Sequence, residues 1–208
     1  MRYGLAIGAL AFAGAAHAQE FDVVGGQTSV LLDTATLSAA AGLDLSGTSA
    51  DVLAGELGDG SVAFGINPRD AASLPTTFSY DAGLADFSGT IEHTGSVFFN
   101  ADTIEVGNFT IGFDAARVGG DRSGFFVEST TGIAAILFDV QSPSFVSAAS
   151  AGLVIEANLL VSSEFANFLG DAGLTGADVG DARVNAIPTP GVVGALALGG
   201  LAAARRRR

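Results

Sequence analysis

The sequence predicts an all-β fold, an antiparallel β-sandwich or barrel-like domain with one short helix. Three observations predict it. Apolar and polar residues alternate in short runs through the middle of the chain. Glycine, Asn and Asp punctuate those runs, with 29 glycines among 208 residues. Helical periodicity is scarce, and many short strands between frequent turn signals suit a sandwich or barrel.

Along the chain, Thr28, Val30 and Leu32 alternate, and so do Val62, Phe64 and Ile66. Ile104 and Val106 share one face. Phe109, Ile111 and Phe113 share a face after a one-residue slip at Gly107-Asn108, which predicts a bulge or a two-residue hairpin turn. Gly124 to Val127 and Ile133 to Val140 flank Thr130-Thr131-Gly132, a hairpin signal. Leu153, Ile155, Ala157, Leu159 and Val161 give a clean alternation, with Glu156 and Asn158 on the other face. The helix is expected from Ser163 to Leu169. Ser163 would cap it, Glu164 suits the first turn, Phe165, Phe168 and Leu169 lie on one side, and Gly170 ends it. Leu37 to Ala41 and Ala50 to Leu57 leave room for helical turns. Asp70 to Thr77 and Gly170 to Asp181 are expected loops, the second leading to a short last strand at Arg183 to Asn185.

The two ends differ from this middle. Met1-Arg2-Tyr3 is a short positive start, and Gly4 to Ala15 is an unbroken run of apolar and small residues. Ala16 and Ala18 place small side chains where a signal peptidase inspects them, so residues 1–18 are expected to be a signal-peptide helix cut before Gln19. At the other end, Ile187-Pro188-Thr189-Pro190-Gly191 is a stiff, extended breaker. Val192 to Ala204 carries no polar residue and predicts a hydrophobic helix, and Arg205, Arg206, Arg207 and Arg208 close the chain. Such a helix rises about 20 Å, short for a membrane span. The arginines would stay on the cytoplasmic side. Residues 19–186 are then a single β-rich exported domain, and 187–208 a tail.

The tail resembles the PEP-CTERM sorting signal of bacterial surface and exopolysaccharide-associated proteins. The matching residues are Pro188, Pro190, Gly191, the apolar stretch and the four arginines, while Thr189 stands where that family carries Glu. The resemblance implies a signal peptidase and an exosortase-type enzyme as processing partners. It also implies membrane contact through the tail before processing, and delivery to the envelope, cell surface or extracellular matrix. A plain tail anchor or interfacial segment is the alternative.

All 22 acidic residues lie between Glu20 and Asp181, against Arg69, Arg117, Arg122 and Arg183 alone, and there is no lysine. The exported part is thus more acidic than the whole-chain charge of −13. Such a surface repels nucleic acid and attracts divalent cations or basic partners. With no cysteine, the fold cannot lean on disulfides, and thiol chemistry and cysteine-ligated metals are excluded. The core must rest on 15 Phe, with no Trp.

Chemistry-bearing residues are few. Past the leader the one histidine is His93, and no nucleophile elbow accompanies it. It shares a face with Ile91 and reads as a half-buried or surface strand histidine. With Tyr80 it offers two residue types that ligate haem. The run from Phe87 to Phe113 resembles the Gly- and Phe-rich strands of haem-transport domains of the HtaA type, without a matched ligand position. Asp171, Asp178 and Asp181 share a Gly-rich loop and offer carboxylates for calcium as a cofactor, though their spacing is not that of an EF-hand. Arg117 and Arg122 could bind an anionic sugar or pair with Asp114 and Asp121, and Phe99 or Phe126 could stack on a sugar ring. The expected function is structural or adhesive, in an exopolysaccharide or envelope layer. The alternative is a secreted module binding calcium, carbohydrate or another small ligand, with a hydrolase built on paired carboxylates as a third reading.

Overall fold

A computed structural model describes residues 19–190. The leader with Ala16 and Ala18 lies outside the described residues, as does the tail from Gly191 to Arg205, Arg206, Arg207 and Arg208. The two expected terminal helices fall there too.

The elements run β1 (Glu20–Leu32), α1 (Thr34–Ala41), β2 (Leu45–Thr48), β3 (Leu53–Ala54), β4 (Val62–Gly65), β5 (Ser79–Asp81), β6 (Phe87–Ser88) and β7 (Ile91–Glu92). They continue as β8 (Ser96–Phe99), β9 (Ile104–Phe113), β10 (Arg122–Gly132), β11 (Ala135–Gln141), β12 (Phe145–Ala149), β13 (Gly152–Val161), α2 (Ser163–Phe168) and β14 (Asp178–Pro190). One antiparallel sheet takes the order β2-β8-β9-β10-β11-β13-β14-β1-β4-β3. It curls until its sides meet. A bridge joins Ile66, just past β4, to His93, between β7 and β8. The Asn67 N–H donates to the Glu92 carbonyl beside it at 2.8 Å. Further along, β5 pairs with β1, and the Thr77 and Phe78 N–H groups both donate to the Thr90 carbonyl. Of the two expected architectures, the barrel-like one is realised.

Long strands keep apolar side chains inside a closed sheet by slipping register, because one extra residue moves every later side chain to the other face. In β1, Phe21 and Val23 are buried, and Thr28, Val30 and Leu32 also face inward. The odd-to-even switch falls where the pairing with β14 slips, between Val23 and Gly25. A Cβ at Gly26 would strike the Asn185 carbonyl. In β9 the reverse, even-to-odd switch separates Val106 from Phe109, and Asn108 takes a left-handed φ of 48°. The slip at Gly107-Asn108 is therefore an irregularity within one strand, not a hairpin.

Several expectations are corrected. The β10–β11 hairpin forms, but Thr130, Thr131 and Gly132 belong to β10, where Thr131 and Gly132 pair with Gly107 and Val106, so the turn falls at residues 133–134. Two α-helices form rather than one. Asp33 caps α1 by accepting from the Thr36 N–H at 2.9 Å, and Gly42 ends it in a left-handed conformation. Ala50 to Leu57 holds β3, not a helix. In α2 the cap is Ser162, whose Oγ accepts from the Phe165 N–H at 3.0 Å, and Ser163 is the first helical residue. Phe165 is buried against Phe138, whereas Phe168 is 55% exposed and not part of the inward face.

The largest correction is β14. The expected loop at Gly170 to Asp181 ends at residue 177, and a 13-residue strand replaces the short one. Its Asp178 and Asp181 are exposed, while Val179, Val184 and Ala186 are buried. The pairing slips opposite Asn158–Leu160 to make this possible. The strand runs on through Ile187, Pro188, Thr189 and Pro190, which pair with Gly25, Val23, Asp22 and Phe21. Proline lacks an N–H, and these residues extend past Leu153, where the β13 ladder begins, so they occupy an edge that tolerates it.

Candidate functional site

The barrel encloses a cavity of about 100 Å³. Phe64, Leu137, Leu159 and Phe109 are among its walls, and the polar side chains that line it are Thr28 and His93. His93 is 1% exposed, so it is fully buried rather than half-buried. It sits where the barrel closes. Its Nδ1 lies 2.9 Å from the Phe109 carbonyl oxygen, and its Nε2 lies 2.8 Å from Thr28 Oγ1. A carbonyl can only accept, so Nδ1 carries the proton, and the neutral ring accepts the Thr28 hydroxyl at Nε2. Burial lowers its pKa to about 4, with the Phe109 carbonyl opposing in part. Both ring nitrogens are thus committed within the protein.

Tyr80 is also buried and donates its hydroxyl to the Ala149 carbonyl at 3.0 Å. Burial pushes the phenol pKa up. Neither residue presents a free ligand atom for haem.

One flank of the barrel carries an aromatic cluster. Phe87 stacks on Phe125 at 5.1 Å, and Phe113 meets both edge-on at 5.0 and 5.2 Å. Phe125 reaches the cavity, while Phe113 is 40% exposed. Phe99 is buried. Phe126 lies beneath the Arg117 guanidinium at 5.9 Å. Phe99 is thus closed to a sugar ring, and the guanidinium takes one face of Phe126.

The arginines pair elsewhere than with Asp114 and Asp121. Arg117 Nε donates to Asp139 at 2.7 Å, and its two terminal nitrogens grip Glu164 at 2.6 and 3.0 Å. Arg122 stands 3.6 Å from the other Asp139 oxygen. Asp139 is 2% exposed, on β11, and could not hold its charge there unpaired. The Arg117 fork holds Glu164 down at about 2. Asp114 instead caps the turn at Ala115–Arg117 by accepting from the Ala116 N–H. This network clamps that turn, β11 and α2 together. Sequence reasoning missed Asp139 and Glu164 because the partners lie 22 and 47 residues from Arg117.

The calcium expectation is not met by the geometry. Among the described residues no three His, Asp or Glu side chains converge on a metal site. Asp171 accepts from the Gly173 N–H at 2.8 Å, and Asp178 accepts from Asn158 and the Gly180 N–H. Asp181 sits in the β14 ladder opposite Asn158. The glycines read as a calcium loop serve a short turn and a strand instead. Of the residues matched to the sorting signal, Pro188 and Pro190 lie in β14 at the barrel rim, with the departing Thr189 between them.

No family model matches the chain, and no curated protein does. Among solved structures, the C-terminal domain of HtaA from Corynebacterium glutamicum is similar, with a TM-score of 0.49 and 13% sequence identity. The match covers 81% of this chain and 99% of that one. At this likeness no role passes from one to the other.

Proposed function

We propose that the chain is an exported protein of the cell envelope or extracellular matrix, with a structural or adhesive role in an exopolysaccharide layer. An exosortase-type enzyme would sort it through its tail. The observation that carries this reading is that the first and last described strands meet at one rim of the barrel. Among the described residues the β1–β14 ladder runs to the rim, where Phe21 pairs directly with Pro190. The described barrel is built from the residues between the leader and the apolar stretch, an arrangement that suits those two segments to serve as addresses. Phe21 and Pro190 also stand side by side, so a chain held by its tail would present the rest of the barrel outward. The acidic, lysine-free surface suits a partner that is cationic or bridged by divalent ions.

The test is fractionation of expressing cells, comparing the full chain with one truncated after Pro190, which leaves β14 whole. The full chain is expected with the envelope or polymer fraction and the truncation in the medium. Equal release of both would show that the tail is not an address.

A further inference from the structure

We propose that the barrel interior is a binding site for a small hydrocarbon, an aromatic ring or the end of an alkyl chain, admitted past Phe87, Phe113 and Phe125. The inference stands apart from the export reading and rests on three features.

The first is the cavity itself. Protein interiors are close-packed and leave few voids larger than a water molecule, so about 100 Å³ of empty apolar space is unusual. An engineered apolar cavity of about 150 Å³ stays dry and takes up benzene or xenon. This one is about two thirds of that size, among rings and aliphatic side chains that can shift rotamer.

The second is chemical selectivity. The polar side chains on the wall, Thr28 and His93, hydrogen-bond each other, and the second ring nitrogen is spent on the Phe109 carbonyl. Thr28 Oγ1 keeps acceptor capacity, but the wall exposes no polar atom to the cavity, so water there would find no partner and a charged or hydroxylated ligand would lose its hydration without compensation. A hydrocarbon loses nothing on entry.

The third is a route. The β10–β11 ladder is interrupted between Arg122 and Phe126. Phe125, within that gap, lines the cavity, and so does Pro143, just past the end of β11. Outside Phe125 stand Phe87 and the half-exposed Phe113, so apolar surface runs from solvent to the interior. Gly124, at φ 94°, lets this cluster close, since a Cβ there would come within 2.6 Å of the Phe113 ring.

The test is methyl NMR of the intact exported domain, residues 19–190, labelled at Val, Leu and Ile, titrated with benzene and separately with laurate. Saturable shifts are expected at cavity methyls such as Val30, Leu137 and Leu159, with Leu53, Val146 and Ile187 on the surface unmoved. Shifts of the lining methyls with either probe support the site. No shift at millimolar probe, or shifts at the surface methyls alone, overturns it. Ala157, on the cavity wall, gives the control. Ala157→Ile fills the space, and if its dispersed spectrum shows a folded barrel, the shifts should vanish. Retention of the shifts in that folded variant also overturns the assignment.

Discussion

At His93, burial holds the ring neutral and lowers its pKa from 6.5 to about 4, with the Phe109 carbonyl opposing in part. Above pH 6.5 the ring is neutral folded and unfolded, and its full contribution is present. Below 6.5 the unfolded chain binds a proton that the folded chain refuses, so stability falls as pH drops, until the folded ring protonates near pH 4. At about 1.4 kcal/mol per pKa unit this is about 3 kcal/mol lost across the window. Urea titrations between pH 7 and pH 4.5 should show the slope. His93→Asn keeps a donor for the Phe109 carbonyl but cannot charge. It should be about 1–2 kcal/mol less stable at pH 7, from the lost Thr28 bond, and nearly flat over that window. An equal slope in both proteins would sink this account. The residue's strand position was legible in the alternation with Ile91. Its complete burial was not, because the bridge that covers it comes from Ile66, and nothing local announces a partner at that distance.

Elements are held to one another by pairs that ordinary local reading does not reach. Arg117 sits on a turn, Asp139 on β11 and Glu164 on α2, so one guanidinium couples three pieces of structure. Arg117→Ala leaves a buried carboxylate with only the longer Arg122 contact, and should cost about 3 kcal/mol. Glu164→Gln alters a more exposed partner, and should cost about 1 kcal/mol or less. Chemical denaturation of both variants checks the order, and similar losses for the two would show that Asp139 is not the anchoring member. The strands with uninterrupted alternation, such as β13, were legible from period alone. Strands that change phase were only half legible. The Gly107-Asn108 slip was visible because bulky residues flank it. The slip beside Val179 was hidden, since Asp178, Gly180 and Asp181 have the composition of a loop while their backbone lies in a ladder. The helix α1 was seen in part at Leu37 to Ala41, and its Asp33 cap supplies the missing first turn.

On the scale of the whole molecule, closure is what the sequence did not show. Alternation tells which residues face inward, but sandwich and barrel share that pattern, and the choice rests on the single bridge between Ile66 and His93 with its flanking bonds. That no three His, Asp or Glu side chains converge on a metal site among the described residues could not be read ahead either, because 22 carboxylates allow many pairings until the fold distributes them. The long last strand changes where the domain may be cut. Truncation after Ala186 removes the partners of Phe21 to Gly25 and opens the rim. A loss of about 2 kcal/mol would lower the thermal midpoint by roughly 4–8 °C for a domain of this size. Truncation after Pro190 should leave the midpoint unchanged, and calorimetry of the two truncations decides whether the rim residues belong to the fold.

The antiparallel rung between Phe21 and Pro190 also fixes how the molecule would bear a pull. Tension entering at Pro190 and leaving through Glu20 acts across the β1–β14 ladder and parts it one rung at a time, as a zip. Tension entering at Pro190 and leaving at the far end of β1, near Leu32, acts along that ladder and loads every rung together. A barrel tethered by its tail and gripped at the α1 end is therefore mechanically strong, and the same barrel gripped by its own first residues is weak.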